Sequence, residues 1–217
     1  MMTSQSQAKE KLHHVTSVVT EPEDNVKFYD EWAETFDENQ ISSGYNGPVK
    51  SASILSSYLP NTDARILDFA CGTGRVAGEL SKLGYRNIDG LDASQKSLDV
   101  AARKDIMNEL ICVWVDDKTI KIASDCYDGL ICVGGFVPGH LHSDCFDEWI
   151  RIVKPGGVIV NVLRQQWLDE YEPYANNQLE DDMKQKERSM KWELIQRGNF
   201  DGGDQQWKMA VFIHKVL

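Results

Sequence analysis

The residues best suited to chemistry lie around a glycine-rich turn that follows an apolar segment. Residues 66–70 read ILDFA and run directly into the sequence CGTG. Gly72, Gly74 and Ala77 match the G-x-G-x-x-A pattern of turns that bring the backbone close to a dinucleotide. Asp92 follows Gly72 by 20 residues, a spacing from which a carboxylate binds the ribose hydroxyls of an adenosine. The pattern predicts an adenosine-containing cofactor and fits NAD and S-adenosylmethionine equally well.

Further carboxylates at the ends of the predicted strands separate these two cofactors. Asp68 comes four residues before Gly72, and Asp116 and Asp117 follow the third predicted strand. Like charges a few ångström apart repel by several kcal/mol at an effective dielectric constant of about 20. An acidic sheet edge therefore disfavours the pyrophosphate of NAD and favours the sulfonium and ammonium groups of S-adenosylmethionine.

Two other groups of residues are candidates for a ligand-binding or metal-binding role. Tyr29 and Trp32 lie on one face of a predicted amphipathic helix, where they either pack in the core or cover a ligand. His140, His142 and Cys145 are types that bind metals, but they lack a fourth ligand and a tight zinc spacing. No metal site is predicted from them.

An alternation of apolar segments and helical patterns must position these residues. The first predicted strand begins at Arg65, and the next four cover 87–92, 110–115, 127–133 and 158–163. Helical patterns separate them, which predicts a Rossmann-like α/β fold with a seven-stranded, mostly parallel sheet and helices on both faces. The segments 191–196 and 206–216 complete the seven as a C-terminal antiparallel hairpin, joined through 198–203.

The polar N-terminal segment and the rest of the chain differ in pattern. We predict that residues 1–22 form a disordered tail and that residues 23–217 form a single domain whose helical lid covers about 23–60. Within this lid, one helix is expected from Val26 and a second over 49–58.

Charge and apolar content exclude several classes of function. The 23 basic and 34 acidic side chains give a formal net charge of −11, which repels the phosphate backbone of nucleic acids. No segment reaches the roughly 20 apolar residues of a membrane span, and the N-terminus lacks the apolar region of a secretory signal. The cysteines are odd in number, and Cys112 and Cys132 lie in apolar segments that predict buried, reduced thiols. We therefore expect a cytoplasmic protein that binds neither nucleic acid nor membrane.

Taken together, the motifs resemble those of the class I S-adenosylmethionine-dependent methyltransferases. The matching segments, in family order, are ILDFACGTG (66–74), GLDAS (90–94), VDD (115–117), YDGLICVGGF (127–136) and IRIVKPGG (150–157). FYDEWAETFDE (28–38), GYNGP (44–48) and VGGFVPGHL (133–141) also resemble the methyltransferase-like proteins named after the Williams-Beuren syndrome chromosome region. Ala70 departs from the glycine that the broad family often has there.

The resemblance implies a role for each matched residue. Asp68 and the backbone of Ala70, Gly72 and Gly74 would face the methionine end of S-adenosylmethionine. Asp92 and Ala93 would contact the ribose, Asp116 and Asp117 would contact the adenine, and Val133 would lie at the end of the fourth strand. Tyr29 and Trp32 would cover the cofactor from the N-terminal helix. The residues that the resemblance assigns to the cofactor are therefore Tyr29, Trp32, Asp68, Ala70, Gly72, Gly74, Asp92, Ala93, Asp116, Asp117 and Val133.

No motif names a catalytic residue or an acceptor. His140, Tyr45 and Glu31 are candidates for a general base near the mouth of the pocket, needed only if the nucleophile must lose a proton. Size and charge favour a small-molecule acceptor, with a protein side chain second, and the oligomeric state stays open. Two alternatives remain: a non-catalytic protein that binds S-adenosylmethionine or S-adenosylhomocysteine and acts through partners, and a nicotinamide-dependent oxidoreductase.

Overall fold

The computed structural model describes residues 21–115, 120–203 and 207–217, which form seven helices and seven strands. The helices are α1 (Pro22–Ser42), α2 (Gly47–Tyr58), α3 (Arg75–Lys82), α4 (Gln95–Ala102), α5 (Cys145–Ile152), α6 (Gln165–Glu170) and α7 (Gln178–Arg188). The strands are β1 (Arg65–Phe69), β2 (Asn87–Asp92), β3 (Leu110–Cys112), β4 (Tyr127–Val133), β5 (Val153–Arg164), β6 (Trp192–Asp201) and β7 (Lys208–Val216).

All seven strands belong to one sheet, in the order β3-β2-β1-β4-β5-β7-β6. Strands β1 to β5 pair in parallel, and β7 runs antiparallel to both β5 and β6. The sheet carries an apolar core on each face: α5, α6 and α7 pack on one side, and α2 and α3 on the other. The predicted Rossmann-like α/β sheet with its C-terminal hairpin is confirmed.

Several predicted boundaries were wrong. Helix α1 begins at Pro22, inside the segment predicted as a tail, because proline suits the first helical position and Glu23 and Asp24 favour the first turn. Residues 1–20 lie outside the described residues. Strand β6 continues to Asp201, through part of the predicted loop, because it pairs with β7 as far as Lys208.

The third strand is shorter than predicted, and the fifth is longer. Strand β3 ends at Cys112, and this residue is exposed rather than buried, because β3 is the edge strand of the sheet. Strand β5 includes the predicted turn at Pro155 and Gly156, where the register against β4 shifts and Gly156 takes a φ of 85°. The turn is therefore a bulge inside the strand. No helix formed by the described residues is long and apolar enough to cross a membrane.

His214 in β7 is a buried histidine away from the sheet edge that carries the cofactor motifs. It is 1% exposed and stacks on Trp192 with the ring centroids 4.1 Å apart. Its Nε2 atom lies 3.8 Å from a carboxylate oxygen of Glu187, too far for a hydrogen bond. Burial lowers the pKa of His214 to about 3.

This histidine should make the fold sensitive to acid. Below pH 6.5 the unfolded chain takes up a proton at His214 that the native protein accepts only near pH 3, so stability falls with pH across this window. From pH 6.5 to pH 5 the loss is about 2 kcal/mol. We expect His214→Phe to remove this part of the stability loss in urea denaturation curves, with His142→Phe as the control for replacing a histidine at an exposed position. If the stability of wild type and of His214→Phe changed equally with pH, the assignment of this pH dependence to His214 would be wrong.

Candidate active site

A cavity of about 160 Å³ lies at the carboxyl ends of β1, β2 and β4, beneath helix α1. The strand order reverses between β1 and β4, and open α/β sheets bind their ligands at such a switch point. The predicted cofactor residues found on the cavity wall are Tyr29, Ala70, Gly72, Asp92, Ala93 and Val133.

The glycine turn after β1 exposes its backbone to this cavity. Ala70 and Gly72 have φ values of 57° and 53°, in the left-handed region, and a Cβ atom added to Gly72 would meet no atom within 4 Å. That open space lets a ligand approach the backbone closely. Gly74 does not line the cavity. It precedes α3 with a φ of 80°. A Cβ atom added to Gly74 would lie 3.3 Å from the Cβ atom of Ala101.

Asp92, at the end of β2, fixes the position of the glycine turn and lines the cavity. One carboxylate oxygen accepts a hydrogen bond of 2.7 Å from the backbone N–H of Gly72, and the other accepts one of 2.9 Å from Ser94. Burial raises the pKa of Asp92, while these backbone donors oppose the rise. Each oxygen of a carboxylate has a second lone pair, so the group can still accept hydrogen bonds from a ligand.

Asp68 lies deeper than the sequence predicted and does not line the cavity. The residue is 1% exposed, and its carboxylate accepts a hydrogen bond of 3.2 Å from the backbone N–H of Ala77 in the first turn of α3. Burial raises the pKa of Asp68 to about 8, and the nearby Asp92 adds to the rise. A positive charge in the cavity would favour the ionised form of this carboxyl group.

Arg75, the first residue of α3, is a cationic group on the cavity wall that sequence reasoning left without a role. Its Nη1 atom is buried and has no hydrogen-bond partner among the described residues. Burial lowers the pKa of Arg75, although Asp37 opposes the shift. An unpaired guanidinium at this point suits a ligand carboxylate, such as that of a methionine moiety.

Helix α1 covers the cavity with aromatic side chains. Tyr29 lines the cavity, whereas Trp32 is 2% exposed, lies behind it, and borders a second cavity. The indole Nε1 of Trp32 donates a hydrogen bond of 2.7 Å to the side chain of Asn39. Trp32 thus belongs mainly to the packing of the lid helix, and Tyr29 to the wall of the cavity.

Three acidic residues of α1 attach the helix to the sheet edge, and sequence reasoning missed them. Asp30 accepts hydrogen bonds from the Ser94 hydroxyl at 2.6 Å and from the Lys96 backbone at 3.1 Å. Asp37 accepts hydrogen bonds of 2.5 Å from the Thr73 hydroxyl and of 2.5 Å from the Lys104 ammonium group. Glu34 forms an exposed ion pair of 2.7 Å with Arg103. Their i, i+4, i+7 spacing places them on one helix face, and that periodicity was the available signal.

Tyr45 lines both cavities and is held by the turn between α1 and α2. An added Cβ atom at Gly47 would lie 2.1 Å from the Tyr45 hydroxyl oxygen, so only glycine leaves room for this ring. Tyr45 also pairs with Gly203 in an antiparallel bridge, which joins the turn to the β6–β7 hairpin. Burial raises the pKa of Tyr45 to about 12, so the phenol stays protonated at neutral pH.

Of the other two catalytic candidates, His140 reaches the cavity and Glu31 does not. The Nε2 atom of His140 lies 3.1 Å from the Tyr29 hydroxyl, and its Nδ1 atom lies 2.9 Å from the Pro138 carbonyl. If Nδ1 donates to the carbonyl, Nε2 accepts from Tyr29. Burial lowers the pKa of His140, which keeps the imidazole neutral. Glu31 is exposed on α1 and lines neither described cavity, because it faces away from the sheet.

The predicted adenine contacts at Asp116 and Asp117 lie outside the described residues. The residues just before them, Val113, Trp114 and Val115, line the cavity and supply an apolar wall beside Leu91. An apolar wall of this kind suits an aromatic base. Within residues 21–115, 120–203 and 207–217, no three His, Cys, Asp or Glu side chains are grouped as ligands for a metal ion.

Part of the wall of this cavity lies in a segment that is similar to known proteins. Residues 66–157 match the family model described as a methyltransferase domain. Human methyltransferase-like protein 27 is 30% identical over 134 residues, which cover 61% of this chain and 54% of that protein. Sterol 24-C-methyltransferase ERG6A of Gibberella zeae is 24% identical over 149 residues, which cover 65% of this chain and 39% of that protein. The chain therefore spans about half the length, or less, of these relatives.

Solved structures with similar folds have low sequence identity. The [4+2]-cyclase SpnF superposes with a TM-score of 0.68 at 13% identity, over 93% of this chain and 98% of that one. A putative methyltransferase, solved in complex with the Haloferax volcanii Trm112 methyltransferase activator, has a TM-score of 0.65 at 14% identity, over 87% and 97%. Geranyl diphosphate C-methyltransferase from Streptomyces coelicolor, crystallised with S-adenosyl-L-homocysteine, has a TM-score of 0.59 at 12% identity, over 77% and 78%. These likenesses show the fold alone.

Proposed function

We propose that the chain belongs to the S-adenosylmethionine-dependent methyltransferase family and transfers a methyl group to a small-molecule acceptor, because residues 66–157 match the model of a methyltransferase domain. The observation that carries the proposal is the contact between Asp92 and the glycine turn at the cavity wall. The Asp92 carboxylate accepts a hydrogen bond of 2.7 Å from the backbone N–H of Gly72. Gly72 lines the same cavity, and a Cβ atom added to it would meet no atom within 4 Å.

The residues on the wall fit S-adenosylmethionine at both of its ends. Asp92 would accept the ribose hydroxyls, and the apolar wall at Val113 and Val115 would contact the adenine. At the other end, the unpaired guanidinium of Arg75 would receive the methionine carboxylate. Asp68 would stabilise the positive charges from below the turn, and Asp116 and Asp117 stay predicted adenine contacts. This assignment of site residues is part of the proposal.

The bound cofactor supplies an activated methyl group, which moves to the acceptor in an in-line displacement. The protein has to align the acceptor and exclude water. Helix α1 would do the second task, since Asp30 and Asp37 attach it to the sheet edge and Tyr29 closes the cavity. The neutral imidazole of His140 can take a proton from an acceptor hydroxyl or amine through the Tyr29 hydroxyl, which lies 3.1 Å from Nε2.

The domain organisation and the cellular location of the chain are also part of the proposal. We propose that residues 23–217 form one domain, with a lid over about 23–60 that includes α1 and α2. All five cysteines are free, and we propose a cytoplasmic location for the chain. A protein side chain remains the second choice for the acceptor, and the acidic charge speaks against nucleic acid.

A calorimetric titration without acceptor tests the cofactor. We expect S-adenosylmethionine and S-adenosylhomocysteine to bind with micromolar dissociation constants and NAD not to bind. The acids beside the cavity oppose a pyrophosphate, and Arg75 is the only cation on the described wall of this cavity. Tight NAD binding would instead support the nicotinamide-dependent oxidoreductase and contradict the proposal.

Turnover separates an enzyme from a non-catalytic protein that binds S-adenosylmethionine. The [4+2]-cyclase among the structural neighbours shows that this fold is not limited to one reaction. The test uses a labelled methyl group on S-adenosylmethionine and a pool of small metabolites. Labelled small products would support methyl transfer, whereas binding without transfer to any small molecule or protein would favour the non-catalytic alternative.

A further inference from the structure

A second cavity of about 100 Å³ adjoins the first and contains an arginine with no role in the proposed cofactor site. Tyr29, Tyr45, Val133 and Gly134 line both cavities, so the two share a wall. The second cavity extends from this wall toward Arg164, the last residue of β5. Phe36 also lines both cavities, and most of the remaining lining of the second cavity is apolar or aromatic, with Trp32, Phe136 and Trp167. Arg164 therefore lines a space next to the cofactor cavity without lining the cofactor cavity itself.

Arg164 has no anionic partner. In the part of the chain that the structure describes, no carboxylate lies within 4.0 Å of its guanidinium group, and the group donates no hydrogen bond. Its guanidinium carbon lies 3.8 Å from the ring centre of Trp207 and 5.9 Å from that of Trp167. Burial lowers the pKa of Arg164. Arg65, Arg151 and Arg197 each pair with a carboxylate, whereas Arg75 at the cofactor cavity, like Arg164, has no such partner among the described residues.

An unpaired, half-buried cation in the wall of an aromatic cavity needs a physical reason to persist. Removing a charge from water is costly, and stacking on an aromatic ring recovers only part of that cost. The chain has 34 acidic residues from which a partner for Arg164 could have come. A cavity in front of the group indicates that the missing partner is a ligand. Within the same cavity, the Oε1 atom of buried Gln40 also lacks a partner, so the wall offers an acceptor as well as a cation.

We propose that the methyl acceptor is a small molecule with an apolar, ring-sized body and one anionic end, and that Arg164 binds this anion. The proposal rests on the proposed function, because it assigns the second cavity to the acceptor. The aromatic walls would contact the body, and the planar guanidinium would take a carboxylate or phosphate through paired hydrogen bonds. The nucleophile would then lie at the shared wall near Tyr29, facing the cofactor cavity. Arg164 is thus a specificity residue rather than a catalytic one.

The test compares three probes of similar shape and different charge. Benzoate, phenyl phosphate and benzamide are titrated into the protein saturated with S-adenosylhomocysteine, and ligand-observed NMR gives the dissociation constants. We expect the better of the two anions to bind at least tenfold more tightly than benzamide. A preference between benzoate and phenyl phosphate shows whether the natural anion is a carboxylate or a phosphate. Equal binding of all three probes would overturn the proposal.

Variants assign that preference to one residue. Arg164→Gln should remove the preference for anions and leave the affinity for S-adenosylhomocysteine unchanged, because Arg164 does not line the cofactor cavity. Arg164→Lys should keep part of the preference for anions, since the charge remains but the planar pair of donors is lost. Arg197→Gln is the matched control, because Arg197 also lies over an aromatic ring in the C-terminal strands but is paired with Glu180. Wild-type anion binding in Arg164→Gln would refute the role of Arg164.

The outcomes also separate this proposal from the proposed function. If S-adenosylhomocysteine fails to bind the wild type, the proposed function fails, and the probes are titrated without it. If S-adenosylhomocysteine binds but no anion is preferred, only the acceptor assignment fails. Thermal unfolding shows whether Arg164→Gln is folded. If it is not, the wild-type comparison of benzoate with benzamide and the Arg164→Lys variant decide the question.

Discussion

Replacing Asp92 by alanine is expected to weaken the binding of S-adenosylhomocysteine by about a hundredfold, or about 3 kcal/mol. Two losses add to this value. The proposed hydrogen bonds to the ribose hydroxyls disappear, and each buried polar group left unpaired costs about 1 to 3 kcal/mol. The backbone N–H groups of Gly72 and Ser94 also lose their acceptor, so the glycine turn is no longer held in place.

Isothermal titration calorimetry on Asp92→Ala, Asp92→Asn and Asp99→Ala measures the effect. Asp92→Asn keeps one acceptor oxygen, so we expect it to bind with an intermediate affinity. Asp99→Ala is the control, because Asp99 is a surface acid on α4 with its side chain 44% exposed. A folded Asp92→Ala protein with wild-type affinity would contradict the position of the ribose. A loss equal in Asp99→Ala would point to the net charge of the protein instead.

Much of the fold could be predicted because strands and glycine turns leave local signals. The bounds of β2 and β4 were predicted correctly from short apolar segments between polar ones. Edges were harder. Strand β3 was predicted too long because the apolar segment continues past the strand and lines the cavity at Val113 and Val115. Apolar character marks burial, and burial here comes from the cavity wall as well as from the sheet.

The site was less predictable, because its contacts join residues far apart in the chain. Asp68 was placed correctly at the end of β1, but its depth depends on how α3 packs over the turn, which no local pattern states. Asp30 and Asp37 form hydrogen bonds with residues 64 and 36 positions away. Arg164 has no sequence signal at all, since a cation at a strand end is ordinary until the structure shows that it lacks a partner.

Replacing Asp68 by asparagine is expected to stabilise the cofactor-free protein at pH 8 by an amount of the order of 5 kcal/mol. The pKa of Asp68 is about 8 in the native protein, raised by burial, against 3.8 in the unfolded chain. Between these values the native state holds one proton more than the unfolded state at this residue. Stability therefore falls by about 1.4 kcal/mol per pH unit as the pH rises, until Asp68 is ionised in both states near pH 8.

The variant should lose this pH dependence, because asparagine does not titrate and its amide oxygen can still accept the hydrogen bond from Ala77. Chemical denaturation at pH 5, 6, 7 and 8 measures the difference between Asp68→Asn and wild type, which isolates Asp68 from the other titrating groups. Asp99→Asn serves as the control at an exposed position. A difference that does not grow with pH would show that Asp68 ionises normally in the native protein.

The same substitution should weaken the binding of S-adenosylmethionine while it strengthens the fold. A cationic cofactor favours the ionised form of Asp68, so binding to the wild type releases a proton below pH 8 and the affinity rises with pH. S-adenosylhomocysteine has no sulfonium charge, so its affinity should depend less on pH. In Asp68→Asn the affinity for S-adenosylmethionine should be lower at pH 8 and flat from pH 6 to pH 8. If the variant keeps the wild-type affinity and pH profile, Asp68 has a purely structural role at the start of α3, and the acidic edge does not recognise the sulfonium group.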